Sequence, residues 1–244
     1  MATHPSMNDF FQQLDKWRHF PAFPLEARSE VFFALFLPTV LEAHFKIGIK
    51  PQIIPQFPLK QESEGEEEDY NLFDKVDFFA LSNNDECAFL IELKTDMKSR
   101  RSDQDDYLTN AIGKGMCRIL HDFKEMSKSK NDKRARQKYF HMAHALSEFG
   151  LIGLPSNLKD TMYAAHSQGV YELIDDICIL RSPELKVVYV QPYQSDEDKC
   201  GDKRFSYIYF DEFADIVESQ GDMGGLFAGY LRKWIEDPAK SPPR

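Results

Sequence analysis

Cysteine is scarce: Cys87, Cys117, Cys178 and Cys200 are the only four in 244 residues, and no two stand at CxxC spacing. That pattern fits neither a disulfide framework nor a zinc knuckle, and reduced thiols in a cytoplasmic protein are the simpler expectation. Long apolar runs are lacking as well. The longest, Val31 to Leu37, falls far short of the roughly 20 residues that a membrane-spanning helix needs, so no membrane partner is expected. The N-terminal stretch mixes Asn8, Asp9 and Gln12 among apolar residues and has no basic segment ahead of an apolar one, which argues against a secretory signal. There is no Walker-type glycine loop, no GxSxG elbow, no HExxH pair and no internal repeat.

Phenylalanine, by contrast, is plentiful, with 20 copies in a chain that is 42% hydrophobic, enough to build a substantial core. The length suits a single domain over 1–236, with a proline-rich, disordered tail over 237–244. Thirty Lys plus Arg against 40 Asp plus Glu give a net charge of -10, which by itself argues against a protein that coats nucleic acid. The distribution qualifies this. From Lys94 to Lys138 there are 13 basic and seven acidic residues, a local +6 that leaves -16 for the rest. Such a run is either a solvated helix face or a phosphate-binding rim.

Apolar spacing predicts a helix over Leu25 to Phe45 with Val31, Phe32, Leu35, Phe36, Val40 and Leu41 on its buried face. Pro38 should kink or divide it. Glu26 and Glu30, four apart, share a face of its first half. Lys50 to Lys60 carries Pro51, Pro55 and Pro58 and so suits an edge strand. An acidic loop, Glu62 to Asp69, precedes two strand-like runs, Phe73 to Leu81 and Cys87 to Thr95. Asp103 to Met126 reads as a helix, and so does the stretch from Lys128 to Phe149, ended by Gly150. Gly150 to Gly169 reads as irregular, and Val170 to Leu180 fits helix or strand equally. Strands follow at Lys186 to Pro192 and Phe205 to Phe210, and a helix at Leu226 to Ile235. This order describes an α/β fold with a central mixed sheet flanked by helices.

The two runs from Phe73 to Thr95 form a hairpin if Asn84 and Asp85 are the central turn residues. Asp77 then faces Glu92, and Lys94 lies two residues further along the same face. Opposed carboxylates on an otherwise apolar strand pair repel each other, and burying them uncompensated is costly. A hard divalent cation relieves that, and Mg²⁺ commonly uses one or two carboxylates together with phosphate and water. A metal, paired acids and a lysine point to phosphodiester hydrolysis. The plain alternative is an ordinary salt-bridged strand end, since an ExK triplet alone is a weak signal. Lys98, Arg100 and Arg101, just beyond, could grip a phosphate backbone. His141 and His144 read as an ordinary helix pair, because no acidic or cysteine partner is near in sequence.

Asp77, a gap of fourteen residues, then Glu92-Leu93-Lys94 at a strand end resembles the signature of the PD-(D/E)xK nuclease superfamily, the restriction-endonuclease-like fold. Val76 stands where the family's name has proline. The resemblance covers about 25–192 and implies an αβββαβ core with extra C-terminal helices over 193–236. It implies that Asp77 and Glu92 bind Mg²⁺ with the Leu93 carbonyl, with Mn²⁺ as a substitute, while Lys94 assists water and phosphate. It further implies a glutamate from the first helix, Glu30 with Glu26 as the alternative, and nucleic-acid contacts from Gln104 and Tyr107. The expectation is therefore a metal-dependent nuclease acting on DNA or RNA, with homo-oligomerisation left open. The alternative is a catalytically inactive nucleic-acid-binding or protein-interaction module on the same fold.

Overall fold

The computed structural model describes residues 6–61, 73–97, 100, 102–128, 133–163, 170–194 and 204–235, so the acidic run over 62–69 and the tail over 237–244 lie outside the described residues. In chain order the elements are α1 (Met7–Trp17), α2 (Leu25–Phe45), β1 (Ile54–Lys60), β2 (Phe73–Leu81), β3 (Cys87–Leu93), α3 (Ser102–Lys128), α4 (Lys133–Glu148) and β4 (Ile152–Gly153). There follow α5 (Leu158–Tyr163), α6 (Val170–Asp175), β5 (Cys178–Ile179), β6 (Glu184–Gln191), β7 (Phe205–Tyr209), α7 (Phe210–Val217) and α8 (Gly221–Trp234). Five strands make a mixed sheet in the order β1-β2-β3-β6-β7, with β1 and β2 antiparallel and β6 and β7 parallel. The proline-bearing β1 is an edge strand, as its composition predicts. No helix among the described residues is long and apolar enough to cross a membrane.

The chain forms two compact units. The first comprises Met1–Ile53, Ile91–Ser102 and Val187–Arg244. Its core is aromatic: Phe227 of α8 lies 5.1 Å from Phe33, 5.7 Å from Phe11 and 6.1 Å from Phe213, ring centre to ring centre. That cluster decides which way α2 turns. The buried positions are Leu25, Ser29, Phe33, Leu37, Val40 and Leu41, whereas Val31 and Leu35 are 66% and 58% exposed. The expected face was therefore partly misplaced, because α2 carries apolar residues all round and spacing alone cannot choose among them. Nor does Pro38 divide α2, which continues as one element to Phe45. The missing proline N–H costs one helical bond, and the burial of Leu37, Val40 and Leu41 around it offsets that loss. Two helices were not anticipated. α1 opens on a capping box in which the Ser6 hydroxyl accepts from the Asp9 N–H while the Asp9 carboxylate accepts from the Ser6 N–H. α7 follows β7 directly, and α8 begins at Gly221, ahead of the expected Leu226.

The second unit comprises Ile54–Leu90 and Asp103–Lys186. β1 and β2 pair from Ile54 opposite Phe79 to Lys60 opposite Phe73, and Phe57 stacks on Phe79 at 4.9 Å. At the end of β2 the Ser82 N–H donates to the Cys87 carbonyl at 2.9 Å. This sets Ser82 against Cys87, and the turn spans Asn83 to Glu86 rather than two residues. Its side chains hold it: the Ser82 hydroxyl accepts from the Cys87 N–H and donates to Asn84. Asp85 alone takes a left-handed conformation there, with φ of 60°. α3 is broken by Gly115, whose φ of 69° and ψ of 167° are non-helical, so the buried face shifts between its two halves. The segment expected to be irregular contains β4 and α5, and the ambiguous 170–180 stretch resolves into helix α6 followed by strand β5. β4 and β5 pair as a separate two-stranded sheet.

Two comparisons test the first unit's packing. Phe33→Ala should cost about 3–5 kcal/mol in urea unfolding, while Val31→Ala stays within about 0.5 kcal/mol, and the reverse order would mean the buried face of α2 is wrongly assigned. On α8, a Cβ at Gly224 would collide with the Val217 carbonyl oxygen, whereas one at Gly229 meets nothing within 4 Å. Gly224→Ala should therefore lower the melting temperature, and Gly229→Ala should raise it by removing backbone freedom from the unfolded chain.

Candidate active site

The end of β3 alternates between core and chemistry. Ile91 and Leu93 are wholly buried, and Glu92 and Lys94 alternate with them, so the two charged side chains share a face. That face is buried as well, with Glu92 2% and Lys94 3% exposed. The Lys94 ammonium donates to Glu92 Oε1 at 2.9 Å. The backbone N–H of Lys94 donates to the Val190 carbonyl at 2.8 Å, which pins the strand end to β6.

A second carboxylate comes from the first turn of α2. Burial pushes the Glu26 carboxyl above its ordinary range, Lys94 pulls it down, and Glu92 and Glu30 push it up again, while a bond from the Thr95 backbone N–H favours the ionised form. Glu30, one turn on, is also raised by burial. Glu26 senses Lys94, Glu92 and Glu30, and burial raises both candidate glutamates. The spacing of four residues gives them a common face, as expected.

Asp77 belongs to the second unit, whereas Glu26, Glu30, Glu92, Leu93 and Lys94 belong to the first. It is 9% exposed, and Gln56 Nε2 approaches its Oδ1 at 3.5 Å, a long hydrogen bond. Gln56 occupies the β1 position opposite Asp77 in the register, with φ of 51°. Reading Pro55-Gln56-Phe57 as a strand without fixing its register gave no reason to single Gln56 out. Gln191 was missed too: it is wholly buried at the end of β6 and donates from Nε2 to the Tyr193 carbonyl at 3.0 Å. Its only signal was a polar residue closing the apolar run KVVYV.

The residues expected to contact nucleic acid have varied surroundings. Lys98 and Arg101 lie outside the described residues. The Arg100 guanidinium sits over the rings of Tyr189 and Tyr207, 4.6 Å and 5.6 Å from their centres, and donates to the Tyr207 hydroxyl at 3.3 Å. Gln104 is buried, and the Tyr107 hydroxyl donates to the Lys75 carbonyl at 3.4 Å. Much of the basic run beyond them has partners within its own unit. Lys114 and Arg118 both pair with the buried Asp122, at 3.6 Å and 3.1 Å. Lys124 donates to the Asp175 and Ile177 carbonyls. Burial pulls Lys128 down, but its bonds to Asp175 and Glu125 prevail and hold it above its ordinary range. His141 bonds with the Tyr163 hydroxyl, and His144 pairs with Glu148, so an acidic partner does stand near in sequence, one helical turn on, contrary to the expectation. Among the described residues no group of three or more His, Cys, Asp and Glu side chains stands together as a ready metal cage.

The raised Glu26 carboxyl has a definite consequence for stability. The folded state holds the Glu26 proton more tightly than the unfolded chain, so its contribution is favourable below the ordinary glutamate value of 4.5 and is lost as pH rises through the raised one. Glu26→Gln should therefore raise the melting temperature at neutral pH and do so less at pH values below the ordinary range. Equal effects at both pH values would mean that Glu26 is not held protonated by its surroundings.

No family model, no curated protein and no solved structure matches this chain.

Proposed function

We propose that this chain is a metal-dependent nuclease that hydrolyses phosphodiester bonds, built on a restriction-endonuclease-like core. The observation that carries the reading is the buried strand end where the Lys94 ammonium meets Glu92 and a desolvated Glu26 carboxyl stands beside both. Two carboxylates against one ammonium leave the cluster with an excess negative charge when both are ionised. The succession α2, β1, β2, β3, α3, β6 also follows the helix, three strands, helix, strand order of that core.

The donor set suits Mg²⁺, which prefers carboxylate and carbonyl oxygens and keeps several waters. Glu92, the Leu93 carbonyl and Glu26 or Glu30, all of the first unit, would hold it. Bound there, such an ion supplies charge to polarise the phosphate and lowers the pKa of an attacking water. Lys94 does the remaining electrostatic work, placing a fixed cation where negative charge develops on the phosphate oxygens. Glu26 and Glu30, held above the ordinary carboxylate range by burial, suit proton transfer near neutral pH better than exposed glutamates do.

One observation favours a second reading, a binding module without turnover. Glu92 is already paired with Lys94 at 2.9 Å, so the strand end is electrostatically satisfied at that position without any ligand. A cleavage panel separates the two. Labelled linear and circular DNA and RNA, at low salt with Mg²⁺ or Mn²⁺, should be degraded in a reaction that EDTA stops. Glu92→Gln and Lys94→Met should each lower the rate by at least about a hundredfold, the scale typical of a lost electrostatic group. Nucleic acid bound but left intact, with no heat of metal binding in calorimetry, would establish the module instead.

A further inference from the structure

We infer that the ends of β6 and β7 form a stacking platform for unpaired bases, so that the ligand of this face is single-stranded nucleic acid. The identity of the ligand rests on the nucleic-acid reading of the adjoining Glu92–Lys94 cluster. The platform itself rests on separate geometry.

β6 and β7 run parallel with Tyr189 opposite Tyr207 and Gln191 opposite Tyr209. Alternation puts Tyr189, Gln191, Tyr207 and Tyr209 on one face of the sheet. Their rings lie nearly parallel: Tyr189 and Tyr207 are 5.9 Å apart at 14°, and Tyr207 and Tyr209 are 6.3 Å apart at 9°. Gln191 is wholly buried, and exposure rises from β6 to the outer strand β7 and to the residues just past β6. Tyr189 is wholly buried, Tyr207 and Tyr209 are half-buried, and Tyr193 just beyond β6 is 39% exposed.

Charge and position agree with the shape. The Arg100 guanidinium lies on the rings of Tyr189 and Tyr207, a planar cation on aromatic faces, and brings positive charge to a base-binding surface. The Lys94 N–H donates to the carbonyl of Val190, between Tyr189 and Gln191, so the reactive end of β3 adjoins this row directly. In open α/β sheets ligands gather at the carboxyl ends of the strands. Aromatic rings with cations are how proteins hold single strands, because every base offers a π face once it is unstacked from a duplex.

The test measures binding in EDTA, where cleavage plays no part. Fluorescence anisotropy compares oligothymidine about 12 nucleotides long with an abasic deoxyribose-phosphate oligomer of equal length and with the corresponding duplex. Oligothymidine should bind at least about tenfold more tightly than either. Tyr193→Ala and Tyr209→Ala should each weaken it by about tenfold, while Tyr209→Phe retains the affinity and the abasic oligomer responds to none of them. Tyr193, the most exposed of the four tyrosines, keeps the test decisive should Tyr209→Ala melt early in circular dichroism. Equal affinity for thymidine and abasic oligomers, tighter binding of duplex, or indifference to both alanine variants would overturn the platform. Base-dependent binding with no cleavage in Mg²⁺ would leave it standing and remove only the nuclease reading, and cleavage without base-dependent binding would do the opposite.

Discussion

The arrangement around the end of β3 depends on a charge pair kept away from water. Glu92 and Lys94 alternate with fully buried Ile91 and Leu93, so the strand can join the core only if both charges go inside with it. Each makes the other tolerable, since a buried ion with its partner removed costs several kcal/mol. Glu26 then enters a neighbourhood where the Lys94 ammonium is already engaged by Glu92. Its carboxyl is displaced upward mainly by burial, with Glu92 and Glu30 adding to the same displacement. The excess of carboxylate can be relieved by a proton, as the raised carboxyl indicates, or on the proposed reading by a hard cation. Proton affinity and cation affinity are in this sense two expressions of one electrostatic imbalance.

What the sequence disclosed follows from which patterns are local. β3 announced itself because an apolar run interrupted by Glu92 and Lys94 has a period of two, and Ser82 meets Cys87 across the turn as symmetry about Asn84 and Asp85 requires. Glu26 and Glu30 shared a face because helical spacing requires it. The orientation of α2 was not legible, since Phe33 is chosen over Val31 by the aromatic cluster around Phe227, residues nearly two hundred positions away in sequence. α1 did have a local signal in Ser6 and Asp9, at capping-box spacing, and it went unread. The break at Gly115 was illegible for a different reason, because a single glycine inside a helical pattern is usually tolerated.

Charge taught a similar lesson at larger scale. The basic stretch from Lys94 to Lys138 looked like one surface because its residues are contiguous in sequence. In the structure Lys114, Arg118, Lys124 and Lys128 pair with carboxylates and carbonyls of the second unit, Arg118 from an exposed position. Arg100 belongs to the first unit and rests on tyrosine rings. Charges contiguous along the chain are therefore divided between the two units, which neither the local count nor the total of -10 reveals.

The prolines of β1 have an effect beyond marking it as an edge. An open sheet border presents backbone N–H and C=O groups that another chain can copy, which is how strands add to one another in aggregates. Pro55 and Pro58, three apart, lack N–H groups on opposite edges of a seven-residue strand, so the open border loses one donor, and the left-handed turn of Gln56 between them interrupts the straight run of the rest. At the opposite border β7 passes directly into α7. A newly made chain can thus complete its sheet with one rim that is a poor template for its neighbours, a safeguard for a protein whose interior is so rich in phenylalanine.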